Sequence, residues 1–287
     1  MIGIFGGLTV VAVAQPVVIS PHWQVNFPPV ANGVAGISMA VPLDHGAMLV
    51  AVVAVGADPA SPKLQLGSRL VPVKMIGHDP VSRLEFMQVD GGESLKEIPW
   101  CDEVGANATA SLNTLEAGGS FKCRGTGWAK QVGGKVLPLA LLRISFSRAV
   151  PPPGTPIVDD SGHVVGIVFQ ASGTGNTGYA IPAEAVHRVK RDLVAGGMLV
   201  RGWLGLALRA ESQLPQISRV LPDSPASRAG VRLNDVILHI GSRQVADYAD
   251  AANAFFYLVP GEPVRVKLLR NAEQLELTLT PTKASDH

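Results

Sequence analysis

The sequence predicts a mainly β protein made of two domains. Its 31 glycines and 22 prolines interrupt short apolar runs along most of the chain, which is typical of strands joined by many turns. Hydrophobic residues make up 47% of the 287 residues and charged residues only 16%, so two domains with substantial cores can form. The formal net charge is +1 and no long block of like charges occurs, so nothing indicates nucleic-acid binding.

Residues 1–29 are expected to form an export signal or a membrane anchor. Met1–Ser20 is apolar and uncharged, and Ala12-Val-Ala14 has the small-x-small form of a signal-peptidase site. The segment lacks a basic beginning and contains Pro16, so a buried first strand or an incomplete start is the alternative. Contact with a membrane is expected only through this segment.

Residues 30–200 are predicted to form the larger domain, which ends in a helix. Apolar residues recur at helical spacing from Ala183 to Ala195, and Gly196-Gly197 then ends the helix. The predicted strands before it include Met48–Val55, Arg69–Ile76, Leu84–Val89, Lys135–Ser145 and His163–Gln170.

Residues 201–287 are predicted to form a small α+β domain. An apolar strand at residues 203–208 is followed by a second strand at Ile217–Leu221. A helix at Tyr248–Leu258 is stopped by Pro260-Gly261. The strands Val264–Leu269 and Gln274–Leu279 then form a hairpin.

The two cysteines, Cys101 and Cys123, do not indicate a metal site. Neither belongs to a C-x-x-C pair or lies near a histidine at metal-binding spacing, so no metal and no cofactor are predicted. One disulfide and two separate thiols are both compatible with the sequence.

The run Asp223–Gly241 resembles the PDZ domains that follow the protease domain in the HtrA (DegP/DegS-like) family. The matching residues are Ser224-Pro-Ala226, Ala229-Gly-Val231 and Asp235-Val-Ile237. In family members an aromatic-Φ-Gly-Φ segment forms the loop that binds a peptide's terminal carboxylate through backbone N–H groups. The resemblance therefore implies a peptide-binding site lined by Trp203, Leu204, Gly205, Leu206, Ala251, Ala252, Phe255 and Phe256.

The run Pro151–Gly166 resembles the nucleophile segment of the same family, G-N-S-G-G-P-L-V-n-x-x-G-x-V-I-G. Gly154, Pro156, Gly162 and Gly166 match this pattern, and the nucleophilic serine position falls on Pro153. Proline has no hydroxyl, and it also lacks the backbone N–H that the nucleophile contributes to the oxyanion hole. The resemblance implies a trypsin-like double β-barrel whose chemistry is lost.

The two other triad positions are also replaced. His45–Val55 resembles the catalytic histidine segment, in which the histidine position falls on Val53, while His45 itself lies at the preceding turn. Asp79–Val89 resembles the segment of the orienting aspartate, and that position falls on Arg83. A local ion pair with Glu85 is the expected role of Arg83. No catalytic residue is therefore predicted.

The expected protein is a trypsin-like pseudoprotease followed by a PDZ domain, a scaffold, adaptor or chaperone-like factor that binds peptides or protein C-termini. A working endopeptidase of envelope protein quality control, with a rearranged site, is the alternative. The resemblance implies export to the bacterial periplasm or to the periplasmic face of the inner membrane. It also implies a homo-trimer or an assembly with active HtrA proteases, and Trp23 and Phe27 are candidates for subunit contacts.

Overall fold

The computed structural model of the protein describes residues 23–66, 68–89, 96, 98–104, 108–132, 135–173, 175–209 and 214–284. The predicted signal or anchor stretch, Met1–Ser20, lies outside the described residues. Among the helices within those ranges, none is both long and apolar enough to cross a membrane.

Two closed six-stranded barrels form the larger part of the chain, as the sequence predicts. Their strands are antiparallel, and both barrels have the neighbour order first-second-third-sixth-fifth-fourth. The first contains β1 (Gln24–Phe27), β2 (Gly36–Leu43), β3 (Met48–Val52), β4 (Lys63–Leu66), β5 (Arg69–Asp79) and β6 (Leu84–Val89). The second contains β7 (Ser111–Glu116), β8 (Gly119–Val132), β9 (Lys135–Phe146), β10 (Pro156–Val158), β11 (Val164–Ala171) and β12 (Thr177–Pro182).

β1 begins before residue 30, so the first barrel starts earlier than the predicted domain boundary. Trp23 precedes this strand and Phe27 ends it, and both side chains are buried within the chain's own core. The expectation that these two aromatics supply subunit contacts is therefore wrong, because their rings are already packed.

Alternating side chains give the strands of the first barrel two buried faces. Leu49 and Ala51 on β3 lie in the interior of the barrel, whereas Val50 and Val52 belong to a core that both barrels share. This division follows from the two-residue period of a strand. A strand buried on both faces reads as a continuous apolar run, which is how Met48–Val55 reads in the sequence.

The helix α1 (Ala183–Gly196) covers the junction of the barrels at the predicted position. Val186, Val189 and Leu193 pack into the shared core. Gly197 ends the helix in the left-handed conformation (φ 73°), and its N–H donates to the Leu193 carbonyl. Glycine adopts this conformation without a steric penalty, so the helix ends where the two glycines predict.

The C-terminal domain, residues 202–284, has its own apolar core. Its helices α2 (Pro225–Arg228) and α3 (Tyr248–Phe255) are capped by the side chains of Ser224 and Asp247, which accept the N–H groups of Ser227 and Asp250. The elements are β13 (Gly202–Trp203), β14 (Leu206–Leu208), β15 (Ile217–Val220), α2 (Pro225–Arg228), β16 (Val236–Ile240), β17 (Arg243–Gln244), α3 (Tyr248–Phe255), β18 (Val264–Arg270), β19 (Glu273–Leu279) and β20 (Thr282–Lys283).

The C-terminal domain packs against the second barrel and α1. Phe256 enters the core that the barrels share, and the Asn253 side chain donates to the Leu137 carbonyl at 2.7 Å. Lys130 on β8 pairs with Asp250 on α3 at 2.5 Å, and Arg243 pairs with Glu184 at 2.9 Å. The domains therefore meet through apolar, hydrogen-bonded and ionic contacts.

Arg188 lies at the centre of this junction. It is buried on α1 and pairs with the buried Asp192 at 2.6 Å. Its Nη2 donates to the carbonyl oxygens of Val200, in the linker, and of Leu258, in the C-terminal domain. One arginine thus satisfies acceptors on three parts of the chain.

Arg188→Met is expected to lower the free energy of unfolding by about 3 kcal/mol, because Asp192 keeps its buried charge, loses its partner at 2.6 Å and retains only Arg191 at 4.0 Å. Urea unfolding followed by circular dichroism measures this loss. The control is Lys190→Met on the same helix, whose partner Asp44 has a side chain that is 46% exposed at the surface. The control should change stability by no more than about 1 kcal/mol. Equal losses in both variants would contradict the assigned role of Arg188.

Candidate functional site

The three positions aligned with a catalytic triad lie where the two barrels meet. Val53 directly follows β3, Arg83 lies in the turn between β5 and β6, and Pro153 lies in the loop between β9 and β10. The Val53 N–H donates to the Arg83 carbonyl oxygen at 2.8 Å. The Val53 side chain itself packs in the interior of the first barrel. It therefore contributes neither a base nor a polar contact at the junction.

Ser38 on β2 connects the Pro153 loop to the first barrel. Its buried hydroxyl donates to the Pro153 carbonyl oxygen at 2.9 Å, and its oxygen accepts from the Val52 N–H at 3.3 Å. The Met39 N–H donates to the same Pro153 carbonyl at 2.8 Å. Ser38 was not predicted, because its only signal in the sequence is a hydroxyl residue within an apolar strand.

The residues Pro152–Thr155 form a tight turn. The Thr155 N–H and hydroxyl both donate to the Pro152 carbonyl, at 3.2 and 2.7 Å. Gly154 has φ 79°, and a proline followed by a residue with positive φ is the signature of a type II turn. A Cβ on Gly154 would lie 1.9 Å from the Met39 carbonyl oxygen. Only glycine fits where this loop meets β2.

The loop offers few backbone donors to a reacting carbonyl. The two oxyanion donors of a trypsin-like site are two residues apart, and in the pattern to which Pro151–Gly166 was compared they fall on Pro151 and Pro153. Neither has an N–H. The Gly154 N–H donates to the Val168 carbonyl at 2.7 Å, so this donor is also used inside the second barrel. The sequence pattern predicted the loss of a donor at Pro153, and the same pattern extends that prediction to Pro151.

Arg83 bridges the two barrels. Its Nη2 donates to the Phe169 carbonyl oxygen at 3.3 Å and to the Gln170 Oε1 at 3.0 Å, and its guanidinium lies 4.0 Å from the centre of the Phe169 ring. Burial lowers the pKa of Arg83. The expected ion pair with Glu85 is wrong, because Arg83 lies in the turn before β6 and its side chain contacts the second barrel.

The fully buried Glu85 instead pairs with His78 Nδ1 at 3.1 Å, across the β5–β6 ladder. Burial raises the pKa of the Glu85 carboxyl, and the His78 contact opposes this shift. Because its pKa is raised in the folded state, the stability that Glu85 contributes is present at acid pH and declines as pH rises through the folded-state pKa.

Other nucleophilic groups near the junction have structural contacts. Ser161 and His163 both direct their backbone N–H groups to Asp159 Oδ1, so the Asp159 side chain closes the turn between β10 and β11. Cys101 and Cys123 are free thiols. Burial raises the pKa of Cys101 to about 11 and that of Cys123 to about 12, so both are protonated at neutral pH.

The segment Trp203–Leu206 forms a sharp bend between β13 and β14. Gly205 has φ 75°, so the apolar strand predicted at residues 203–208 is divided there. The Leu204 and Gly205 carbonyls accept N–H groups of Ala226 and Leu221, at 2.9 and 2.8 Å. Leu204 is buried, while Trp203 and Leu206 are half-buried. These hydrogen bonds to neighbouring segments of the domain fix the bend, while Trp203 and Leu206 remain partly accessible.

The four residues of α3 and its C-terminal end that were assigned to the peptide pocket differ in their packing. Ala251 is fully buried in the domain core, and Phe256 packs against the barrels. Ala252 and Phe255 are half-buried. This packing favours Ala252 and Phe255 over the other two as side chains that could meet a ligand.

Comparisons with known proteins follow the same division of the chain. Residues 202–280 match the family model described as PDZ domain. A probable periplasmic serine endoprotease DegP-like of Chlamydia trachomatis serovar D is 30% identical over 146 residues, which cover 45% of this chain and 29% of the relative. The corresponding protein of Pseudomonas savastanoi pv. phaseolicola is 29% identical over 249 residues, which cover 78% and 51%. The chain thus spans about half or less of these relatives' length.

Solved structures with the same fold include the HtrA-type protease AlgW with a decapeptide. It covers 93% of this chain and 97% of its own, with a TM-score of 0.62 and 18% sequence identity. AlgW with a tripeptide has a TM-score of 0.65 and 20% identity, covering 93% and 96%. At these identities the likeness establishes the fold, which is a double β-barrel followed by a PDZ domain, as predicted.

Proposed function

We propose that this chain, which is similar to HtrA-type serine endoproteases in both of its parts, is a non-catalytic relative of them. It binds peptides or protein C-termini through its PDZ domain and acts as a scaffold, adaptor or chaperone-like factor. The observation that carries the proposal is the loop Pro151–Pro153, where prolines stand at the nucleophile position and at both oxyanion positions.

The contacts around the loop support the loss of catalysis. Acyl transfer by this mechanism needs a nucleophile, a general base and an orienting acid. Val53 is an apolar core residue, and Arg83 carries the charge opposite to that of the missing acid. The Pro153 carbonyl is occupied by two donors of β2. All three roles are thus left without a suitable side chain at the aligned positions.

The bend at Gly205 and the free edge of β14 support peptide binding. Within the described part of the chain β14 pairs only with β15, so its second edge is available for an added strand. Gly205 allows the backbone angles of a carboxylate-binding loop. Ala252 and Phe255 on α3 are half-buried and are the side chains we expect to meet a ligand side chain.

The proposed location is the bacterial periplasm or the periplasmic face of the inner membrane. It is supported by the relatives that are named periplasmic.

Peptides with free, apolar C-termini are expected to bind, and their amidated versions are expected to bind at least about tenfold more weakly. Amidation removes the charge and leaves inward N–H groups unpaired, which costs about 1.5–3 kcal/mol. Calorimetric titration of the whole chain with the paired peptides measures this difference. Equal affinities for the free and amidated peptides would mean that the groove recognises something other than a C-terminus.

Gly205→Val is not a clean control for this titration. A Cβ at residue 205 would lie 2.1 Å from the Ser224 Cβ, so the substitution would disturb the cap of α2 as well as the loop. A better control is the exposed Gly230→Ala, which also puts a Cβ on a left-handed glycine (φ 83°) but where that Cβ meets nothing within 4 Å. It should leave the affinity for the free peptide unchanged.

Assembly with active HtrA proteases, or as a homo-trimer, is part of the same proposal and rests on the similarity to that family. Light scattering of the purified chain, alone and mixed with an active HtrA protease, measures it. A monomer in both samples would remove assembly from the proposal without affecting peptide binding.

A further inference from the structure

Arg83 is held rigidly where the two barrels meet. Its backbone has φ 57°, an uncommon conformation for a residue other than glycine, asparagine or aspartate. The side chain is fixed from the second barrel by the Phe169 carbonyl and the Gln170 side chain, and by stacking on the Phe169 ring. The guanidinium therefore has one orientation, set by both barrels.

The charge of Arg83 is not neutralised by the described residues. Within those ranges it forms no ion pair, and its hydrogen-bond acceptors are a neutral carbonyl and a neutral amide. Both bonds use Nη2, whereas a guanidinium has five N–H donors. The residue is half-buried, so part of it remains open to solvent. Burial lowers its pKa, yet arginine stays protonated at physiological pH.

We propose that Arg83 is the anchor of a binding site for a carboxylate carried by a polypeptide, located between the two barrels. A guanidinium presents paired N–H donors that match the two oxygens of a carboxylate. A partly desolvated cation without a counter-charge also gains more from such a partner than an exposed one does. The neighbouring Phe169 ring adds an apolar surface beside the charge.

This site is separate from the PDZ groove and does not depend on it. The carboxylate has two possible sources, the C-terminus of a polypeptide and the side chain of an aspartate or glutamate. Both present the same planar, singly charged group. Three peptides of one length distinguish them: a free C-terminus without acidic residues, its amidated form, and an amidated peptide with one internal glutamate.

The test is a titration of the isotope-labelled whole chain, followed by the backbone amide resonances in two-dimensional NMR. The amides of Phe169 and Gln170 report on the Arg83 site, while those of Gly205 and Leu206 report on the PDZ groove. We expect the first pair to shift with at least one of the two carboxylate peptides and not with the uncharged one. The peptide that causes the shift identifies the source of the carboxylate.

Arg83→Gln should weaken this binding by about tenfold or more, because a charge-assisted pair is lost. Arg83→Lys keeps the charge without the planar donors and should give an intermediate affinity. Arg124→Gln removes an exposed arginine with no ion pair among the described residues, and it should change nothing. The amide spectrum of each variant also shows whether it is folded.

Shifts at Phe169 and Gln170 that are equal for charged and uncharged peptides, or that persist in Arg83→Gln, would overturn the proposal. The absence of shifts at Phe169 and Gln170 with both carboxylate peptides would also overturn it. Arg83 would then have only a structural role, as a contact between the barrels. Shifts at Gly205 and Leu206 bear only on the PDZ groove. The two proposals can therefore fail independently.

Discussion

The purified protein is expected to hydrolyse no unfolded protein substrate and to resist labelling by serine-directed phosphonates. Pro153 has no hydroxyl, Val53 offers no base, and Arg83 places a cation where the mechanism needs an orienting carboxylate. Gel-based labelling and casein turnover, with an active HtrA protease as the positive control, measure this. Labelling of any serine, including the buried Ser38, would contradict the non-catalytic assignment.

Variants that restore the three triad side chains should still hydrolyse casein more slowly than an active HtrA protease. Pro153→Ser alone supplies a hydroxyl without a base. A triple variant, Val53→His with Arg83→Asp and Pro153→Ser, regains the aligned side chains but keeps Pro151 at one oxyanion position. Loss of one oxyanion donor lowers kcat by about 100- to 1000-fold. Adding Pro151→Gly to the triple variant should therefore raise its rate of casein turnover.

Gly154→Ala should be among the most destabilising substitutions in the chain, lowering the free energy of unfolding by about 4–5 kcal/mol. Two effects add at this position. The left-handed backbone disfavours a Cβ, and that Cβ would lie 1.9 Å from the Met39 carbonyl oxygen and 2.9 Å from its carbon. The loop would have to leave β2 and lose the contacts of Pro153 with Ser38 and Met39. Urea unfolding measures the loss.

Gly162→Ala is the matched control for this experiment. Gly162 has φ 83°, close to the 79° of Gly154, but a Cβ there would meet nothing within 4 Å. Its cost should be the backbone strain alone, about 1–2 kcal/mol. Similar losses in both variants would show that the contact between the Pro153 loop and β2 contributes little to stability.

The sequence predicted the elements whose signals are local. The α1 helix, its glycine end and the strand at Leu84–Val89 follow from periodicity and turn residues, and the structure has them at those positions. The repeated topology of the two barrels was not visible, because it is a matter of strand pairing and leaves no repeat in the sequence. The partner of Arg83 was predicted incorrectly for a related reason. Glu85, two residues along the chain, is an obvious candidate partner in the sequence, whereas contacts 86 and 87 positions away are not.

What the sequence by itself determined about this protein is its chemistry: residue types at aligned positions decide whether a hydroxyl, a base or a backbone N–H exists. Proline at residues 151 to 153 lacks an N–H in any fold. Only the tertiary structure decided how those positions are used. It placed Val53 in a barrel interior, joined Pro153 to β2 through Ser38, and held Arg83 against Phe169. Such contacts depend on how two barrels pack together, and the spacing of residues along the chain does not predict how distant segments pack.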